Sequence, residues 1–155
     1  MRVVGRLVLV LALLAGTVTV TAAHESDSDR FSFAALGIYQ SVYPFPCSRA
    51  KAPGNVVYRW GCAGENNVYL LAHNYGKFYP LYRAYYAGKL TRGLIATYVD
   101  GKGKAHRFRL AWYRVVAPDG DVGFAYAALS RSSLTLQTCV RNNRRLVVRF
   151  VEVLP

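Results

Sequence analysis

From Phe31 onward the chain consists of short runs rich in Val, Tyr, Phe and Thr, punctuated by turn-forming residues, and it lacks any long helical periodicity. Short β-prone runs at this spacing have few ways to bury an apolar face, and an antiparallel sheet closed on itself is the simplest of them. Phe33 to Tyr43 holds an early extended segment, Val56 to Trp60 a short strand, and Asn67 to His73 a continuous apolar run that suits a buried strand. Gly93 to Val99 and the run Arg107 to Val116, which alternates side by side, flank Asp100-Gly101-Lys102-Gly103-Lys104, a hairpin turn. Ser133 to Val140 and Arg144 to Val153 flank a second one, Arg141-Asn142-Asn143. Lys77 to Gly88 differs: Phe78, Leu81, Tyr82 and Tyr85 fall at helical spacing and Gly88 supplies a stop. The expected fold is mainly β, a closed antiparallel barrel of seven or eight strands with one or two short helices.

The N-terminus precedes this domain. Arg2 and Arg6 open it, Leu7 to Ala15 is apolar, and Thr21-Ala22-Ala23 has the small residues of a cleavage site, so residues 1–23 read as a signal peptide, with a retained anchor as the second reading. Residues 24–30 form a polar linker, and residues 31–155 the folded domain. The chain is therefore expected outside the cytoplasm, secreted or attached to the outer face of the cytoplasmic membrane.

The formal charge is +12, and +10 once Arg2 and Arg6 are removed; between Arg30 and Pro118 the only acids are Glu65 and Asp100. Such a surface attracts polyanions in general. Export and the lack of a basic run interleaved with aromatics argue against nucleic acid as the partner.

Cys47, Cys62 and Cys139 make an odd number. Cys47 and Cys62 flank the turn signal Ala52-Pro53-Gly54-Asn55, so a disulfide between them is expected, closing a loop worth about 3 kcal/mol in the chain-entropy model. Cys139 is left over. It ends a run in which Leu134, Leu136 and Thr138 alternate with Thr135, Gln137 and Cys139, and Arg144, Arg145 and Arg149 follow. A lone Cys is more often inert and buried than nucleophilic.

The other chemistries find little support. No CxxC or HxxxH spacing offers a zinc site, the acids are too scattered for paired-carboxylate work, and no phosphate-binding glycine loop or serine elbow occurs. No metal or cofactor is expected. Of the histidines, His24 and His106 are expected to face solvent. His73 closes an apolar strand, and its interest depends on whether Cys139 ends a neighbouring strand on the same side. Cys-His acyl transfer remains: a thiolate attacks a carbonyl, a His protonates the leaving amine, and a cation or amide holds the oxyanion.

Thr135-Leu136-Gln137-Thr138-Cys139 resembles the TLxTC signature of sortases, the Cys transpeptidases of the Gram-positive envelope. The order is also similar: a His after an apolar strand, then the Cys strand, then an Arg opening the next strand, here Arg145-Leu146-Val147-Val148. The resemblance spans Phe33 to Val153. It implies Cys139 as nucleophile, His73 as general acid and then base, Arg145 as the residue that holds substrate and oxyanion, and Thr138 as a substrate-positioning residue. Alternation puts Arg144 on the face opposite to Arg145, and Arg149 on Arg145's face but further from the turn. The implied reaction cleaves an LPxTG-like sorting signal of a surface protein through a Cys139 thioacyl intermediate and passes it to an amine of a peptidoglycan precursor or a pilin. Two rival readings are a non-catalytic basic barrel that binds wall polymers and a thiol hydrolase with water as acceptor.

A Cys–His pair with ordinary pKa values, near 8.5 and 6.5, favours the neutral form about 100-fold, which predicts slow turnover. Three features depart from the family pattern. The Cys and Arg strands are joined by an unusually short connection, Val140 to Arg144. Ala72 stands where many members have Gly, and the Cys47–Cys62 pair is not a general feature of the family.

Overall fold

The computed structural model describes residues 28–48, 51, 54–125 and 130–154. The expected signal peptide, most of the linker with His24, and Ala52 and Pro53 of the first turn lie outside them. Eight strands close into a barrel: β1 (Arg30–Phe33), β2 (Ile38–Phe45), β3 (Val57–Trp60), β4 (Asn67–Leu71), β5 (Ile95–Val99), β6 (Ala105–Val116), β7 (Ser133–Cys139) and β8 (Arg145–Glu152), in the order β1-β2-β3-β4-β7-β8-β6-β5. One helix, α1 (Tyr79–Tyr86), follows β4. Closure leaves no free sheet edge, and this makes short strands sufficient.

The expected barrel is present, and three local features refine it. The early extended segment is two strands, because the chain reverses at a 3-10 turn, Ala34–Leu36, that ends on Gly37 at φ 66°, where a glycine carries no Cβ penalty. Two of the eight pairings are parallel, β2 with β3 and β4 with β7. Parallel neighbours need long crossovers. The disulfide-bearing connection supplies the first, and α1 with β5 and β6 the second.

The third is a β-bulge between Leu110 and Trp112 where β6 pairs with β8. Continuous alternation would set Trp112 on the side of Phe108 and Leu110. The bulge instead brings Trp112 opposite Arg149, on the outside of the barrel.

Inside the barrel, Phe31, Phe33, Leu70, Leu134, Leu136, Leu146, Val148 and Phe150 form one continuous core, which α1 closes with Leu81 and Ala84. Phe33 and Phe150 meet edge to face at 5.4 Å, a geometry that adds about 1 kcal/mol to their burial. A second, smaller core lies on the outer face of the barrel wall. There Tyr69 and Val147 are covered by Val122 and Ala125 of the β6–β7 connection, with Trp60, Trp112 and Phe124 around them.

The turns form where expected. Asp100 accepts backbone N–H bonds from Lys102 (2.9 Å) and Lys104 (3.0 Å), which hold its carboxyl below the usual carboxylate range. Arg141–Asn143 is a 3-10 turn in which Asn142 and Asn143 take positive φ, a conformation Asn tolerates well. Cys47 and Cys62 are bridged, with Cα atoms 5.5 Å apart. His106 is not turned to solvent as expected: it is partly buried between Glu152 (2.8 Å) and Asp100 (3.4 Å), because β6 lies against β8. Among the described residues, no helix is long and apolar enough to cross a membrane.

Candidate active site

Two strand pairings set the geometry of the candidate site. β7 pairs with β8 so that Cys139 lies opposite Arg145. β4 runs parallel to β7 with Leu71 beside Gln137, and the alignment continues past the strand end. The Ala72 N–H donates to the Gln137 carbonyl (3.2 Å), and Thr138 Oγ1 donates to the Ala72 carbonyl (2.9 Å). One more residue sets His73 level with Cys139. His73, Cys139 and Arg145 therefore occupy one row across three neighbouring chain segments, at the rim of the barrel.

Alternation decides which side chains face outward. Leu134, Leu136 and Thr138 are buried, with both leucines in the inner core, and Cys139 is exposed. The general tendency of a lone thiol to be buried does not hold here. Thr138 faces inward and is 2% exposed, so its hydroxyl is a structural tie between β7 and the segment that carries His73. The expected substrate-positioning role cannot run through that hydroxyl, and its backbone remains available for it.

His73 is partly buried and well held. Its carbonyl accepts N–H bonds from Gly76 (3.1 Å) and Phe78 (3.4 Å), folding the chain into the turn before α1. Its ring stacks on Tyr75 at 4.8 Å and 11°. A Cβ at Gly76 would lie 1.6 Å from Asn55 Oδ1, which accepts the Lys77 N–H (3.2 Å), so a larger residue there would displace the Asn55 side chain and this bond. Arg145 is partly exposed, and its guanidinium is turned toward the β6–β7 connection, where Nη2 donates to the Pro118 carbonyl.

Further along the same outer face the surroundings change. Gln137 accepts a hydrogen bond from Tyr69 Oη (2.6 Å), linking β7 to β4. Beyond it lies a buried polar cluster. Asn67 Nδ2 donates to the carbonyls of Ala63 (3.1 Å) and Ala125 (2.7 Å), and its Oδ1 accepts from Thr135 (2.9 Å) and Ser133 (3.4 Å). Arg149 Nη1 donates to Ser133 Oγ (2.7 Å) and Nη2 to the Ala125 carbonyl (2.6 Å). Arg149 shares Arg145's face, as alternation requires, but it is only 1% exposed. Sequence reading missed that burial, and the apolar run Val122-Gly123-Phe124-Ala125 in the covering loop was its available signal. A cleft of about 640 Å³, lined by Phe45, Arg59, Trp60, Ala63 and Asn67, opens at this end of β4, away from His73.

No protein-family model matches the chain, and no curated protein matches it significantly in sequence. Solved structures do match. The chain is similar to sortase C1 of GBS pilus island 1 (21% identity, TM-score 0.66, 82% of this chain and 64% of that one). It is also similar to sortase A from Corynebacterium diphtheriae (15%, TM-score 0.64, 83% and 61%). A third match is Clostridium perfringens sortase C with the C-terminal cell wall sorting motif (21%, TM-score 0.64, 81% and 70%). With these likenesses over more than four-fifths of its length, the chain has the sortase fold.

Proposed function

We propose that the protein is a sortase-like cysteine transpeptidase. Cys139 would attack the scissile carbonyl of an LPxTG-like sorting signal, His73 would protonate the departing amine, and Arg145 would hold the oxyanion. His73 would then deprotonate the incoming amine, from a peptidoglycan precursor or a pilin, and the thioester would pass to it. The observation that carries this reading is the row His73–Cys139–Arg145 with an exposed thiol at its centre. The similar Clostridium perfringens sortase C, solved with a C-terminal cell wall sorting motif, supports the substrate class. The reaction would take place outside the cytoplasm, in keeping with the Cys47–Cys62 bridge.

Amine dependence tests the reading. An LPxTG-type peptide incubated with the protein and a millimolar amine nucleophile should yield an amide product, with faster peptide loss than in its absence. Cleavage that ignores the amine would mark a thiol hydrolase. Absence of cleavage, with Cys139 inert to iodoacetamide, would favour the non-catalytic barrel.

A further inference from the structure

The two described histidines are held in different ways. His106 has both ring nitrogens engaged, by Glu152 (2.8 Å) and by Asp100 (3.4 Å). Among the described residues, neither ring nitrogen of His73 has a hydrogen-bond or ion-pair partner, and its ring contact is Tyr75, stacked at 4.8 Å and 11°. The χ2 torsion of a histidine is broad and roughly two-fold, so the backbone alone does not fix the plane of the ring. A base that must take and return a proton is ordinarily oriented by a third group, commonly a carboxylate hydrogen-bonded to it. At the rim that place is filled by an aromatic face. A turn of the imidazole about its Cβ–Cγ bond, short of a half-turn, tilts it off the tyrosine, so the stack selects the plane.

Tyr75 is placed for this by its turn. The His73 carbonyl accepts from the Gly76 and Phe78 N–H groups, and the Lys77 N–H donates to Asn55. Phe78 is fully buried and meets Phe31 edge to face at 6.0 Å, so the turn is pinned to the core three residues beyond Tyr75. The Tyr75 ring itself is 74% exposed, and its hydroxyl has no hydrogen-bond partner among the described residues. An aromatic left that open adds little to the core, and the ring it meets is the imidazole. The stack orients His73 without occupying either of its nitrogens. We infer that Tyr75 is a positioning residue of the acyl transfer: its ring holds the His73 imidazole in the plane from which a ring nitrogen meets the Cys139 thiol and the amines that leave and enter. The inference rests on the transpeptidase reading, with His73 as its acid and base.

The test combines steady-state kinetics of peptide transfer with NMR of the His73 ring protons, both on the full chain. Tyr75→Leu keeps apolar bulk but no ring plane. It should lower kcat about fivefold to tenfold with KM unchanged, because the stack touches the base and not the peptide. Tyr75→Phe should match the unmodified chain, since the hydroxyl is unpaired. The tyrosine ring should shift the His73 ring protons upfield in the unmodified chain, as should the ring in Tyr75→Phe, and Tyr75→Leu should return them to ordinary positions. The exposed position should leave the melting temperature of both variants within about 3 °C. Unshifted ring protons in the unmodified chain, full kcat in Tyr75→Leu, a loss confined to KM, an equal loss in Tyr75→Phe, or a kcat loss matched by a larger fall in melting temperature would each overturn the inference. The underlying reading fails separately. An unmodified chain that forms no thioester removes the transpeptidase and this role with it, whereas a chain that transfers peptide equally well after Tyr75→Leu removes only the role of Tyr75.

Discussion

The two ends of the β4–β7–β8 wall are made from the same three strands and the same outward-facing positions, yet they are finished in opposite ways. At the rim, His73, Cys139 and Arg145 stand in a row with an exposed thiol, and Arg145 holds on to a loop carbonyl. At the far end, Asn67, Ser133, Thr135 and Arg149 are buried under Val122 and Ala125 and joined by hydrogen bonds in which every Asn67 polar group takes part. The difference shows how one sheet serves two needs. Chemistry requires groups left accessible, and accessible groups contribute little to stability. Holding the strands in register requires satisfied, buried polar contacts, which cost most when half removed.

That contrast predicts a separation of effects. Cys139→Ala should abolish acyl transfer while leaving stability within about 0.5 kcal/mol, read by peptide turnover and thermal melting. His73→Ala and Arg145→Ala should each lower kcat/KM by at least about 100-fold with similarly small stability changes. A drop in melting temperature on the scale of the far-end variants would break the comparison. Removing the disulfide by changing Cys47 and Cys62 together should cost about 3 kcal/mol, since it frees a 15-residue separation, and the proposed site at the rim should survive in the folded fraction.

Asn67→Ala should cost about 2 kcal/mol in denaturant titrations, because it strips two carbonyls and two hydroxyls of their shared partner. Tyr69→Phe, which removes the bond to Gln137 midway between the two ends, should cost about 1 kcal/mol. The smallest effect belongs to Asp100, outside both ends. The backbone N–H of Lys104, and then that of Lys102, lower its folded pKa. Its contribution is therefore present above the ordinary Asp pKa near 4 and is lost as pH falls through the lowered value. Its exposure keeps that effect too small to move the melting temperature, and amide shifts of Lys102 and Lys104 should report it.

How far this contrast could be read from sequence follows from the range of the contacts involved. The rim was accessible: alternation along Leu134 to Cys139, the turn at Arg141–Asn143 and the order His, Cys, Arg are local signals, and they carried the barrel and the resemblance. The far end was not. An arginine in an outward strand position reads as solvated, and Arg149 is buried only because a bulge after Leu110 redirects Trp112 and because the β6–β7 connection folds over the wall. The parallel neighbours β4 and β7 escaped for the same reason, since α1, β5 and β6 lie between them in sequence. Thr138 shows a finer limit: alternation grouped it with Leu134 and Leu136, and the resemblance implied a substrate-positioning role, but only the structure shows its hydroxyl turned inward onto the Ala72 carbonyl.

The most direct test of the central claim is intact-protein mass spectrometry after mixing the chain with an LPxTG-type peptide. A transpeptidase working through Cys139 should gain a mass equal to the acyl fragment, mapped to Cys139, absent in Cys139→Ala and discharged on adding an amine. A chain that stays unmodified, or an adduct that persists in Cys139→Ala, would contradict it.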